Sequence, residues 1–331
     1  MENSPKKNFL SFQIDPAKFA PATDEEKAQQ LTQRESTSFM RDAMRRLHRN
    51  KMAMACLCIL IIIALIAVIV PYFYPYSYTQ QDVSGKHMAP FEYSKKEQQR
   101  IARGEKVFPH IMGTDNLGRD YCIRVIYGTR ISLMVGLISA LIVVVIGIIY
   151  GAISGYFGGK VDMIMMRIVD ILIGLPSLLY IVLIMLVLGS NLVSVIVAIC
   201  ISSWIGTARI VRGQVLTLKS SEYVMAAKLA GASNLKILFA HLLPNSMGPI
   251  IVSTAFMVPG AIFNEAFLSF LGIGISVPMA SWGTLANDAI SQMSSRPYQL
   301  IFPVLAICLT MFSMNFIGDG LRDSLDPKLK Q

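Results

Sequence analysis

Five stretches of the chain carry no charged residue: 52–81, 131–159, 171–208, 242–264 and 297–318. A sixth, 266–287, follows the single acid Glu265. About 18 or more uncharged, mostly apolar residues suffice to cross a bilayer as a helix. The pattern predicts an all-α polytopic membrane protein with six transmembrane helices, at 52–70, 131–150, 166–186, 192–212, 246–274 and 301–318. The run 171–208 is too long for one crossing, and Gly189-Ser190-Asn191 reads as the tight turn that divides it. The fifth span is too long for one straight crossing, so a kink at Pro259 or non-helical backbone near Gly272 and Gly274 is expected.

Composition agrees with the pattern. Charged residues make up 15% of the 331 residues, against about a quarter in soluble domains. A soluble enzyme, a disordered chain and a secreted disulfide scaffold are excluded. The first apolar run begins at Met52, behind a long polar segment, and is too long for a cleaved signal peptide. That segment mixes charges of both signs and is expected to be mobile up to Phe39. Cys56, Cys58, Cys200 and Cys308 lie within apolar runs and read as small hydrophobes, while Cys122 stands apart.

Orientation follows from the basic residues. Arg41, Arg45, Arg46, Arg49 and Lys51 precede span one, and Arg209, Arg212, Lys219, Lys228 and Lys236 lie between spans four and five. The tail adds Arg322, Lys328 and Lys330. This distribution predicts both termini in the cytoplasm, with 1–51 and 321–331 as tails and 71–130 as an extracytoplasmic loop. The net charge of +9 therefore reads as a topology and headgroup signal rather than a nucleic-acid footprint.

No nucleotide or hydrolase motif is present. Gly159-Lys160 is followed by Val161, and Ser154 stands where a phosphate loop needs its first glycine. His48, His87, His110 and His241 have no metal-ligand spacing, so neither a catalytic residue nor a metal or cofactor site is assigned on this chain. Within the spans, Glu265 is the clear ionisable residue; structural hydrogen bonding and contact with a pathway are both open to it. Asn264 beside it and Pro176 in span three are the other pathway or gating candidates. Asp170 lies one turn from Arg167 and is expected to pair with it.

The loop between spans four and five is the most informative segment. Ser221-Glu222-Tyr223-Val224-Met225-Ala226-Ala227-Lys228-Leu229-Ala230-Gly231 predicts a short helix and a glycine break, followed by a second helix capped by Ser233 and Pro244 at the membrane entry. Ala226 and Ala227 leave a smooth face for close approach. A docking element and a hairpin lying on lipid headgroups both fit these residues.

These residues resemble the signature of the type I membrane subunits of binding-protein-dependent ABC importers: Glu-Ala-Ala, three residues, Gly, nine residues, Ile, one residue, Leu-Pro. Ala226, Ala227, Gly231, Leu243 and Pro244 match it; Met225 replaces the acid and His241 the isoleucine. Gly113-Thr114-Asp115-Asn116-Leu117-Gly118-Arg119-Asp120 with Arg124, Gly128 and Arg130 resembles the oligopeptide and dipeptide branch. So do Glu265-Ala266-Phe267-Leu268-Ser269-Phe270-Leu271-Gly272-Ile273-Gly274 with Ser281-Trp282-Gly283, and the tail from Gly318 to Pro327. The resemblance implies the type I ABC importer (MetI-like) permease fold over 131–320. It implies a coupling element formed by Glu222, Tyr223, Met225, Ala226, Ala227, Gly231 and Pro244. It also implies partners: a homologous second permease, two cytoplasmic ATP-binding subunits that hold ATP and Mg, and an extracytoplasmic peptide-binding protein. A permease for nickel or metal chelates shares the fold and stays open, as does a stand-alone secondary carrier.

The remaining features are local. Residues 119–127 read as an interfacial helix with an Asp120–Arg124 pair and Gly128 as its stop. The charged stretch 92–106 reads as a solvated spacer or a helix facing an external protein. Gly147, Gly151, Gly155 and Gly159 form a small-residue stripe suited to close helix packing. Pro176 and Pro303 interrupt spans three and six.

Overall fold

The computed structural model describes residues 39–325, and helices dominate them, with one isolated β-bridge between Thr114 and Asp120. The polar tail up to residue 38 and the end of the C-terminal tail, with Lys328 and Lys330, lie outside the described residues. The chain divides between Asp42 and Ala43 into two units, and the second carries every spanning helix. In order, the helices are α1 (Phe39–Arg49), α2 (Lys51–Phe73), α3 (Lys95–Ala102), α4 (Tyr121–Phe157), α5 (Gly159–Gly174) and α6 (Ser177–Leu188). They continue as α7 (Leu192–Lys219), α8 (Glu222–Leu229), α9 (Asn234–Phe270, with a π-helical turn at Ile237–Leu242), α10 (Trp282–Ile290) and α11 (Pro297–Leu325).

Among the described residues, five unbroken helices, α2, α4, α7, α9 and α11, are long and apolar enough to cross a membrane. The pair α5 and α6 makes a sixth span if counted as one, but it bends by 87°. The break follows from Pro176. A proline removes a backbone donor and pushes the residue before it out of the helical region, and Leu175 is extended at ψ 132°. Span three is therefore not the single helix expected over 166–186. The divide between spans three and four falls at the expected turn: Gly189 has φ +78°, and the Asn191 side chain caps α7 by accepting from Ser194 N–H at 3.0 Å.

α4 corrects the expectation of a separate interfacial helix. Asp120 caps it, its carboxylate accepting from Ile123 N–H at 2.9 Å, and the helix then runs through Gly128 without stopping. Gly128 serves packing instead, lying against Ser281 and Trp282. Arg124 pairs with Asp115 rather than Asp120. A helix of 37 residues spans roughly 55 Å, so α4 projects well past a bilayer core.

α4 and α7 form the centre of the bundle. A Cβ on Gly147 would meet Thr207 Cβ at 2.5 Å, and one on Gly155 would meet Arg212 O at 2.9 Å. Gly151 likewise lies against the Ala208 and Arg212 backbone. The stripe ends there; Gly159 has open space around it and φ +53°, and it begins α5. α9 passes through Pro249 and Pro259 and ends at Phe270, where Gly272 takes φ +79° and Ile273 N–H bonds Leu268 O.

Residues 74–120 pack as a cap on the ends of α4 and α11. Gln299 Nε2 donates to Thr114 O at 2.9 Å, Arg296 Nε to His87 O at 3.1 Å, and the Tyr298 hydroxyl to Met88 O at 3.2 Å. Inside the cap, the buried His110 ring lies between two acids. Nδ1 is 2.7 Å from Asp120 Oδ2 and Nε2 is 3.2 Å from Glu97 Oε1, while Tyr76 stacks on the ring at 4.3 Å.

Candidate coupling element and translocation path

α8 is a short helix with two unlike faces. Val224 is fully buried in a cluster with Val211 and Val215 of α7, Ala152 and Tyr156 of α4, and Ile237 and Leu242 of α9. Ala227 and Ala232 pack on the edge of that cluster. On the other face, Glu222, Tyr223, Met225 and Ala226 are exposed, and Leu229 is 90% exposed. The two alanines therefore part company: Ala226 belongs to the outer face and Ala227 to the anchored one.

The helix ends as its glycine predicts. Gly231 has φ +80°, Gly231 N–H bonds Lys228 O, and Ala232 N–H bonds Ala227 O. Ser233 then caps α9, accepting from Lys236 N–H at 3.3 Å. Pro244 is exposed within α9, directly after the π-helical turn. At the start of α9, Leu235 and Phe239 are likewise exposed, at 65% and 61%. Neither was singled out in the sequence, because exposure cannot be told from burial in a short apolar helix.

Polar contacts brace this element from behind. The Tyr156 hydroxyl donates to Asn234 Oδ1 at 2.8 Å, and Lys219 donates to Tyr156 O. Arg212 grips Asp162 through Nε and Nη2, both at 2.5 Å, and the Ser154 hydroxyl also donates to Asp162. Asp170 pairs with Arg209 of α7 at 2.6 Å, not with Arg167 as the spacing suggested. The bent α5–α6 pair is thus tied to α7, the helix that leads directly into α8.

The three pathway candidates are not brought together. Pro176 is exposed at the α5–α6 bend. Asn264 lines a cavity of about 170 Å³ between α4, α7 and α9, with Ser139, Ser203 and Met257. Glu265 is turned away from that cavity and is fully buried. Its carboxylate accepts from Ser132 of α4 at 2.9 Å and from Ser269 at 2.8 Å, and Ser132 also accepts from Trp282 N–H at 3.4 Å. Of the two roles open to Glu265, this geometry favours hydrogen bonding between helices.

Residues 144–331 match the family described as binding-protein-dependent transport system inner membrane component. Residues 38–90 match the N-terminal TM domain of oligopeptide transport permease C. The chain is 44% identical over 331 residues to the oligopeptide transport system permease protein OppC of Bacillus subtilis (strain 168), covering 100% of both chains. It is 45% identical over 299 residues to the dipeptide transport system permease protein DppC of the same organism, 90% of this chain and 88% of that one. Over 219 residues it is 49% identical to OppC of Haemophilus influenzae, covering 66% and 70%. With a helical bundle that carries a braced, outward-facing α8 in the matched region, the chain belongs to the family of binding-protein-dependent transport system inner membrane components.

Proposed function

We propose that this chain is a membrane-spanning permease subunit of an ATP-driven importer of oligopeptides or dipeptides. α8 is its coupling helix, seated in a cleft of a cytoplasmic ATP-binding subunit. The observation that carries this reading is the two-faced α8, with Val224 locked in the bundle core and Met225, Ala226 and Leu229 exposed on the opposite side. Large apolar side chains left exposed together on one short helix mark an interaction site. α8 itself is packed through Val224 onto α4, α7 and α9, so a push on it moves helices rather than a loop. The named relatives are permeases of oligopeptide and dipeptide transport systems, which supports peptides as cargo.

In this reading both termini and α8 are cytoplasmic, and residues 74–120 and α10 face the other side. A homologous second permease completes the path, and two ATP-binding subunits hold ATP and Mg. An extracytoplasmic binding protein delivers the peptide. Closure of the ATP-binding subunits on α8 rocks the bundle between inward-open and outward-open states. Met225, in the position where the family signature has an acid, makes this contact apolar.

The experiment is to tag the C-terminus, purify the chain from native membranes in mild detergent, identify what accompanies it, and measure ATP-dependent peptide uptake in liposomes. Recovery of two ATP-binding subunits and a second permease, with uptake that stops without ATP, supports the reading. A chain that purifies alone and transports under an imposed ion gradient overturns it.

A further inference from the structure

The end of α9, the turn after it and α10 enclose a cavity of about 150 Å³ whose wall includes Arg124, Ser269, Thr284, Asn287 and Asp288. α10 is held there by Asn287, whose Nδ2 donates to Phe270 O at the C-terminal end of α9. Two groups in the wall are left incomplete. Every acid between residues 82 and 120 accepts at least one hydrogen bond. The Asp288 carboxylate accepts none among the described residues, and its nearest cation, Arg124 Nη2, is 3.8 Å away. Arg124 is 1% exposed and commits Nη1 to Asp115, while its buried Nε–H has no acceptor.

A buried donor without a partner is costly, and native structures keep few of them; the Asp288 side chain, by contrast, is 39% exposed, so its carboxylate stands where the cavity meets solvent. A ligand that met both groups would carry a cation for Asp288 and, close beside it, the hydrogen-bond acceptor that Arg124 Nε–H lacks. A divalent metal fits poorly, because it needs several oxygen ligands and this cavity offers one carboxylate next to a guanidinium. An anion would meet Asp288. The amino terminus of a peptide has the required form, an ammonium group next to the first carbonyl oxygen. The C-terminal end of a helix also favours positive charge, and α9 ends here. The volume holds several waters or one terminal residue, not a whole oligopeptide, which makes this a site for an end group.

We infer that this cavity is a binding site for the free amino terminus of a peptide at the mouth of the path. Asp288 accepts from the ammonium group, and Arg124 donates to the first carbonyl. The inference rests on the peptide-importer reading.

The test uses the complete importer purified without its binding protein, which removes that protein's own selectivity. Binding of radiolabelled trialanine is measured by equilibrium dialysis, alongside its N-acetylated and C-terminally amidated forms. The expected result is saturable binding of trialanine and its amide, weakened about tenfold or more by acetylation, as loss of a charged hydrogen bond requires. Asp288→Asn is expected to weaken trialanine to the same degree and to leave no further effect of acetylation. Recovery of Asp288→Asn in the assembled complex reports folding, and Asp288→Glu is expected to restore part of the affinity. Equal binding of acetylated and free peptide, or loss on amidation instead, overturns the site while uptake by the complex leaves the importer reading standing. A complex that neither binds nor imports any peptide overturns both.

Discussion

The Ser132 hydroxyl donates to Glu265 Oε2 at 2.9 Å, joining α4 to α9 across 133 residues of sequence in a fully buried contact. Ser269 shares the same carboxylate, and Trp282 N–H reaches Ser132, so one acid gathers three segments of the bundle. Removing it leaves buried donors without an acceptor. Glu265→Ala is expected to lower stability by about 1–3 kcal/mol, and Ser132→Ala by less. In a double-mutant cycle followed by thermal unfolding in detergent, the two changes are expected to couple by about 1 kcal/mol. Simple additivity argues against the contact.

Close approach of α4 and α7 makes its own demand. Gly151→Ala places a methyl group against the Ala208 backbone, where nothing flexible can yield. Overpacking of this kind costs about 1–3 kcal/mol. Gly206→Ala, on α7 with open space around it, is expected to be neutral or slightly stabilising. Equal melting temperatures for the two variants would contradict the packing described for the stripe.

The two faces of α8 separate Ala226 from Ala227. Ala226→Arg is expected to leave the chain inserted at normal yield, while co-purification of the ATP-binding subunits and peptide uptake are lost. Ala227→Arg also disturbs the cluster around Val224 and is expected to lower yield as well. Normal uptake by Ala226→Arg removes the coupling-helix assignment.

His110 makes the cap on α4 and α11 sensitive to pH. Burial opposes charge on the ring, but the hydrogen bond and charge of Asp120, with Glu97 behind them, prevail and raise its pKa above the ordinary value. A raised folded-state pKa contributes stability that is fully present below about pH 6.5, the unfolded value, and is lost as pH rises through the folded one. Asp115 acts in the opposite sense. Burial pushes its carboxyl up, but Arg124 and Arg119 prevail and hold it below the usual range, so its contribution is lost only in acid, as pH falls through the lowered value. Hydrogen exchange of residues 74–120 is expected to quicken on raising the pH beyond what intrinsic exchange explains, and His110→Ala should abolish that excess. An excess that survives in the variant would place the pH response elsewhere.

The spanning segments were legible in the sequence because the cost of burying charge in a bilayer writes itself as long uncharged runs. The turn at Gly189-Ser190-Asn191 and the α8–Gly231–Ser233 sequence were legible as well, since caps and glycine stops act over three or four residues. Partners across the bundle were not. Spacing suggested Asp120 with Arg124 and Arg167 with Asp170, whereas the fold pairs Asp115 with Arg124 and Asp170 with Arg209. Gly128 looked like a helix stop and is a packing surface for Trp282. Ala226 and Ala227 are neighbours in sequence, yet one is exposed and the other packs on the edge of the core, because successive residues on a helix are about 100° apart. Hydropathy and local backbone chemistry act on neighbours along the chain, so they determine which segments span and where they turn. Which carboxylate meets which donor, and which cavity is left with Asp288 unmet, depends on contacts between distant helices, and only the packed bundle decides those.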